Sequence, residues 1–167
     1  MKLEPAKINQ VSEICDLVNL AYRGDSGWTK ETDIVSGDRC VPDEIIKHLS
    51  DKNSYLMVAV VNEKIVSCIC IEIKDSCAYI GLFSVDPEFQ SQGVGKEILS
   101  QAESYALRNA NIQKYVMVVV SQRIELIEYY ERRGYRKTGS ISEYPSSLNV
   151  GVPLKSNLTV EYLEKSA

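Results

Sequence analysis

Between Cys77 and Val120 the chain runs from an apolar strand through a glycine-bearing loop into a helix and back to a strand, and this order constrains the fold most. Val94, Ile98, Ala102 and Ala106, flanked by Leu99 and Tyr105, form one row of a helix that ends near Asn109. Tyr115–Val120 follows. Its run from Val116 to Val120 is continuously apolar, as in a strand buried on both faces. Two strands joined through one helix lie parallel in a sheet, with a right-handed crossover.

The segments before this unit read differently. Lys2–Ala6 suits a short strand, kept to an edge by Pro5. Val11, Ile14, Cys15, Val18, Ala21 and Tyr22 recur as one face of an amphipathic helix. Arg23–Val41 loses that period and carries Gly24, Gly27, Gly37 and Trp28, the character of a functional loop. Pro42-Asp43-Glu44 opens a helix to about Leu49. Tyr55–Val61, Ile65–Ile73 and Cys77–Val85 are separated by tight turns and form an antiparallel meander. After the crossover, a helix from Ile124 to Arg133 stops at Gly134. Tyr135–Ser140, a polar loop and a last strand at Leu158–Leu163 complete the chain. The reading is a mixed-sheet α/β protein, meander first and crossover second. Its 167 residues fit one domain.

Composition narrows the function. A net charge of −4 argues against a broad nucleic-acid-binding surface. No apolar run approaches the roughly 20 residues of a membrane span. The first residues have no signal-peptide core, so a cytoplasmic location is expected. The 5 cysteines lack C-x-x-C spacing and read as reduced core residues, with no metal expected. His48, the 1 histidine, lies on a polar helix and reads as surface. A Ser-His-Asp or Cys-His-Asp hydrolase would rest on it alone.

The chemistry concentrates in Gln90-Ser91-Gln92-Gly93-Val94-Gly95-Lys96, at a helix start. Glycines there admit close backbone approach, and the free N–H groups of a first helical turn favour a phosphate. A Walker loop would require Gly at 90 and Ser or Thr at 97, which are Gln90 and Glu97. A dinucleotide fingerprint starting at Gly93 would require Gly at 98, which is Ile98, and a preceding βαβ unit.

Gln90-x-x-Gly93-x-Gly95, after a strand and Val85-Asp86-Pro87, resembles the acyl-CoA pyrophosphate loop of the GNAT (Gcn5-related) N-acetyltransferases. Tyr130-x-x-x-Gly134-Tyr135 resembles that family's second signature, and the element order agrees along nearly the whole chain. The resemblance implies a GNAT-like mixed β-sheet with an antiparallel meander, a central splayed parallel strand pair and flanking helices. It implies acetyl-CoA as acyl donor and a primary amine, small molecule or peptide, as acceptor, without nucleic acid or membrane; homodimers are common in the family. Phe83, Ser84 and Val85 would pair with the pantetheine arm. Gln92, Gly93, Val94, Gly95 and Lys96 would hold the pyrophosphate, flanked by Gln90 and Ser91. Where the family often has Asn, seven residues before its tyrosine, this chain has Arg123.

In this resemblance Tyr130 is the general acid that protonates the leaving thiolate, with an oxyanion donor from backbone near Val85. Adjacent Tyr129, about 100° around a helix, is expected to face another surface. Glu72, an acid within an apolar strand, is the candidate base. Tyr22, Asp25 and Trp28, with Glu31 and Asp33, would grip an acceptor arriving as a cation. Ser142–Pro153 would form the opposite wall. The alternatives are a noncatalytic acyl-CoA sensor, or a partner-binding module on the same fold.

Overall fold

The computed structural model describes residues 1–167. In chain order the elements are β1 (Leu3–Pro5), α1 (Val11–Arg23), β2 (Val35–Ser36), α2 (Pro42–Ser50), β3 (Ser54–Val61), β4 (Lys64–Lys74), β5 (Cys77–Val85), α3 (Val94–Asn109), β6 (Lys114–Val120), α4 (Ile124–Glu131), β7 (Arg136–Glu143), β8 (Val152–Pro153) and β9 (Thr159–Ser166). A seven-stranded sheet has the order β1-β3-β4-β5-β6-β9-β7, and β2 pairs with β8 in a small second sheet. Every pairing is antiparallel except β5 with β6.

At the centre of the sheet both faces are buried, which explains why β3 and β4 are apolar almost throughout. Met57 and Ala59 point into the core shared with α3 and α4, where Ile98, Leu99, Ala102, Ile127 and Tyr130 pack. Leu56, Val58, Cys68 and Cys70 face α1 and α2, against Ile14, Val18 and Ile45. Ile14, Val18 and Ile45 are fully buried, and each such side chain contributes about 1.5–3 kcal/mol.

Three local readings change. Helix α4 ends at Glu131 rather than Arg133, since Arg132 already caps it and Gly134 takes φ +95°. Strands β7 and β9 extend to Glu143 and Ser166, because β9 lies between β6 and β7 and pairs with both. β6 is not buried on both faces throughout. Val118 is 46% exposed, since α1 and α2 pack against β3, β4 and β5 and leave that part of the face uncovered.

Candidate active site

The site begins with an incomplete strand pair. β5 and β6 are paired only through Cys77–Lys114, Ala78–Tyr115 and Tyr79–Val116. Beyond Tyr79 they diverge. The divergence has a local cause in β5, where Leu82 and Phe83 together oppose the single residue Ile69 in a bulge. Leu82 adopts φ +49° there. Such a bulge bends the strand and increases its twist. Past it, Asp86 N–H donates to Val66 C=O, so Val85 sits opposite Ser67 with its own polar groups turned away from β4. The Val85 carbonyl accepts from Gln90 Nε2 at 2.9 Å, which leaves the Val85 N–H facing the opened side.

A cleft of about 320 Å³ fills this opening, lined by Phe83, Ser84 and Val85 on one side and by α4 on the other. Its floor is the loop into α3. Asp86, buried and 2.7 Å from Lys64 Nζ, accepts the Glu88 N–H and starts that loop. Ser91 and Gly93 both take left-handed backbone, at φ +61° and +83°, and Gly93 is the N-cap of α3. The first turn of α3 therefore offers its unpaired N–H groups to the cleft, the arrangement that binds phosphate. Nothing lies within 4 Å of a Cβ built on Gly93, so the approach is open. Lys96, Arg123, Arg132 and Arg133 also line the cleft, and no Asp or Glu does.

On α4, Tyr130 is only 6% exposed, yet it borders the cleft. Burial raises its phenol pKa well above the ordinary value, so the group holds its proton at neutral pH. Its ring packs edge-on against Tyr129 and Tyr135, at centroid distances of 5.3 and 5.9 Å. Tyr129 does not face away: it lines the same cleft, with its ring 5.8 Å from Trp28. Its hydroxyl is 2.7 Å from where a Gly95 Cβ would be, so it lies over the phosphate loop. Arg133 holds it there, with its guanidinium 3.3 Å from the ring centroid and a bond to the Tyr129 carbonyl. Neighbours about a hundred degrees apart on α4 thus both line this cleft.

A family model described as an acetyltransferase (GNAT) domain matches residues 30–145. The chain belongs to the GNAT acetyltransferase family. Solved GNAT-fold structures align with 99% of it. One is smu.2055 from Streptococcus mutans, at TM-score 0.76, 16% identity and 99% of that chain. Another is a PaiA N-acetyltransferase from Thermoplasma acidophilum in complex with coenzyme A, at TM-score 0.76, 13% identity and 98% of that chain. An acetyltransferase from Elizabethkingia anophelis with acetyl-CoA bound aligns at TM-score 0.68, 19% identity and 97% of that chain. At these identities the likeness is one of fold. A curated relative, the uncharacterised YxbD of Bacillus subtilis, is 33% identical over 63 residues, 38% of this chain and 37% of that protein.

Within this GNAT cleft the sequence-derived residues separate into two groups. Phe83, Ser84, Val85, Gln90, Ser91, Gly93, Gly95, Lys96, Tyr130, Tyr22 and Trp28 line it together. Gln92 and Val94 stand in the same loop without lining it, Val94 being buried and Gln92 bonded back to the Glu88 carbonyl. Gln90 is also committed internally, for its Oε1 accepts the Trp28 N–H at 3.0 Å. It thereby ties the Arg23–Val41 segment to β5 rather than standing free beside a phosphate.

The acidic half of the acceptor reading is not met. Asp25 and Asp33 are exposed and lie outside the cleft lining. Glu31, 4% exposed, is paired with Arg123 at 2.7 Å and with Arg23. Arg123 also donates to Thr29 Oγ1 at 3.0 Å and lies 5.6 Å from the Tyr22 ring centroid. Arg23 further bonds the Gly37 and Val150 carbonyls. None of Ser142–Pro153 lines the cleft, so that loop does not form its opposite wall; β8 instead pairs with β2 inside the Arg23–Val41 segment. Glu72 is also absent from the cleft. It pairs with Tyr79, six residues before Val85, or roughly 20 Å along the strand. His48, read as surface, has a side chain only 14% exposed, because α2 packs against β3. Sequence reasoning missed Arg132 and Arg133 as cleft residues, although both fall inside the Tyr-x-x-x-Gly signature.

Proposed function

We propose that the 167 residues act as one catalytic unit that moves an acetyl group directly from acetyl-CoA to a primary amine. The observation that carries this reading is the junction of three features in one cleft: the bulged, unpaired end of β5, the free first turn of α3 and the buried Tyr130. The pantetheine arm extends β5 as an added strand, with the Val85 N–H among its partners. The first turn of α3 holds the pyrophosphate, and Lys96 with Arg132 and Arg133, just after α4, offsets the remaining phosphate charge. Tyr130 donates a proton to the departing thiolate; its upward-shifted pKa suits an acid and not a base.

No carboxylate or imidazole lines the cleft, so no side chain there serves as general base for the incoming ammonium. The amine loses its proton to water before attack. Arg123 is offset by Glu31, but Lys96, Arg132 and Arg133 also line the cleft and no acid does, which disfavours a polycationic acceptor and favours an amine that carries an anionic or neutral neighbour. The test is a panel of amines and peptides assayed by release of free CoA, with spermidine beside amino acids and acid-bearing amines. Turnover with an acid-bearing amine above that with spermidine supports the reading. Acetyl-CoA binding without turnover on any acceptor would favour the noncatalytic sensor. No acetyl-CoA binding would remove both.

A further inference from the structure

On the opposite face of the sheet from α3, away from the acyl-transfer cleft, His48 of α2 meets Cys70 and Glu72 of β4. One ligand atom from each lies within 4.8 Å of the others. Cys70 Sγ is 3.5 Å from His48 Nδ1, and Glu72 Oε1 is 3.9 Å from that same nitrogen. Ser54 of β3 closes the group, with its Oγ 3.1 Å from His48 Nδ1 and 3.3 Å from Cys70 Sγ. The strand period brings Cys70 and Glu72 to one face, and the packing of α2 on β3 brings the imidazole over them.

Two kinds of chemistry use such residues. A nucleophile–imidazole–carboxylate relay needs the thiol on one ring nitrogen and the acid on the other. Here both approach Nδ1, so the group cannot pass a proton along the ring. Convergence on one point is instead what a cation requires. Ligands about 2.0–2.3 Å from a tetrahedral zinc ion stand roughly 3.3–3.8 Å from one another. The separations from His48 Nδ1, 3.5 and 3.9 Å, lie close to that spacing, and movement of the exposed Glu72 side chain closes the third, which is within 4.8 Å. One thiol, one imidazole and one carboxylate form a borderline-soft donor set, which suits zinc over magnesium or calcium. The layers also differ in access. Cys70 is buried, whereas the Glu72 side chain is 53% exposed and gives the ion a path in.

We infer that His48 Nδ1, Cys70 Sγ and Glu72 Oε1 form a zinc-class divalent metal site, with water in the fourth position and Ser54 Oγ bonded to the sulfur. The site is separate from acyl transfer and clamps α2 to β4. On binding, the Cys70 S–H bond breaks, the S–metal bond forms and the proton leaves to buffer. The ion's own charge supplies the driving force for that loss. This departs from the expectation of inert core cysteines, which rested on the absence of C-x-x-C pairs. Ligands two apart on a strand and one from a helix have no such signature.

The test uses the full chain, stripped with a chelator and titrated with Zn(II) alone and with Co(II) alone. One equivalent of Zn(II) should remain after desalting, and Co(II) should produce a thiolate charge-transfer band in the near ultraviolet. Cys70→Ser should abolish that band. Glu72→Gln, at an exposed position that does not endanger folding, should weaken Zn(II) binding by at least about 10-fold, in line with the loss of one ligand. Less than one equivalent of Zn(II), a Co(II) spectrum without the thiolate band, or unchanged binding in Glu72→Gln would overturn the assignment.

Discussion

Tyr130 and Tyr129 both line the cleft, although the helix offset between them, read from sequence, turns Tyr129 away from it. The resemblance to the family's Tyr-x-x-x-Gly signature points to Tyr130, and its burial beside Tyr129 and Tyr135 explains its raised pKa. Tyr130→Phe retains the ring and its packing. Turnover is expected to fall by roughly 10²–10⁴-fold with little change in acetyl-CoA affinity. Near-normal turnover in a chemistry-limited assay would assign the acid role elsewhere. Tyr129→Phe is not a silent control, because its hydroxyl lies over Gly95. Its effect should appear in the KM for acetyl-CoA more than in kcat. The pH dependence follows from the same groups. With no carboxylate or imidazole base in the cleft, kcat/KM should rise with pH toward the acceptor amine's own pKa. The falling limb from Tyr130 should lie above the usual tyrosine value of about 10, because burial raises that pKa. An inflection near pH ~6–7 that belongs to the enzyme would reveal a base outside this cleft.

At the scale of elements, periodicity located nearly every helix and strand, since β3, β4, α1 and α3 are held by burial patterns visible in sequence. What remained hidden was long-range. Neither the place of β9 between β6 and β7 nor the pairing of β2 with β8 has a local signal. The same holds for Glu31. In sequence it is one acid of a polar loop; in the structure it is the buried partner of Arg23 and Arg123 and fastens that loop to α4. Arg123, read as a departure from the family's Asn, acquires a structural reason through this pair. Glu31→Ala would leave buried Arg123 and largely buried Arg23 without their shared acid, and should destabilise by about 3–5 kcal/mol. Arg123→Ala should cost less, because Glu31 keeps Arg23. Equal losses, measured by denaturant unfolding, would show that the Glu31–Arg23 pair contributes nothing once Arg123 is gone. The phosphate loop is an element too. Gly93→Val forces a branched residue to φ +83°, a strain of about 1–3 kcal/mol. It also projects methyl groups into the open approach to α3. Acetyl-CoA affinity should fall far more than stability does; calorimetry that finds affinity unchanged would place the phosphate elsewhere.

For the whole molecule, the cleft joins parts that the sheet alone leaves loosely connected. β5 and β6 hold each other through three residue pairs only, and the Arg23–Val41 segment reaches β5 through the Gln90 side chain. A ligand between the splayed strands would touch β5, the start of α3 and α4 at once, and each of these belongs to the folded state alone. Acetyl-CoA should therefore stabilise the protein by mass action. At ~100 times the dissociation constant the gain is about 2.7 kcal/mol, or roughly 5–10 °C in Tm for a chain of this size. ATP and NAD carry phosphates but no pantetheine to extend β5, so at equal concentration they should shift Tm much less. The comparison separates two properties of the cleft. A cationic rim by itself would respond to all three ligands alike, whereas a strand edge shaped for pantetheine responds to acetyl-CoA. Equal shifts would reduce the site to a general anion cradle, and the absence of any shift with acetyl-CoA would remove the acyl-transfer assignment.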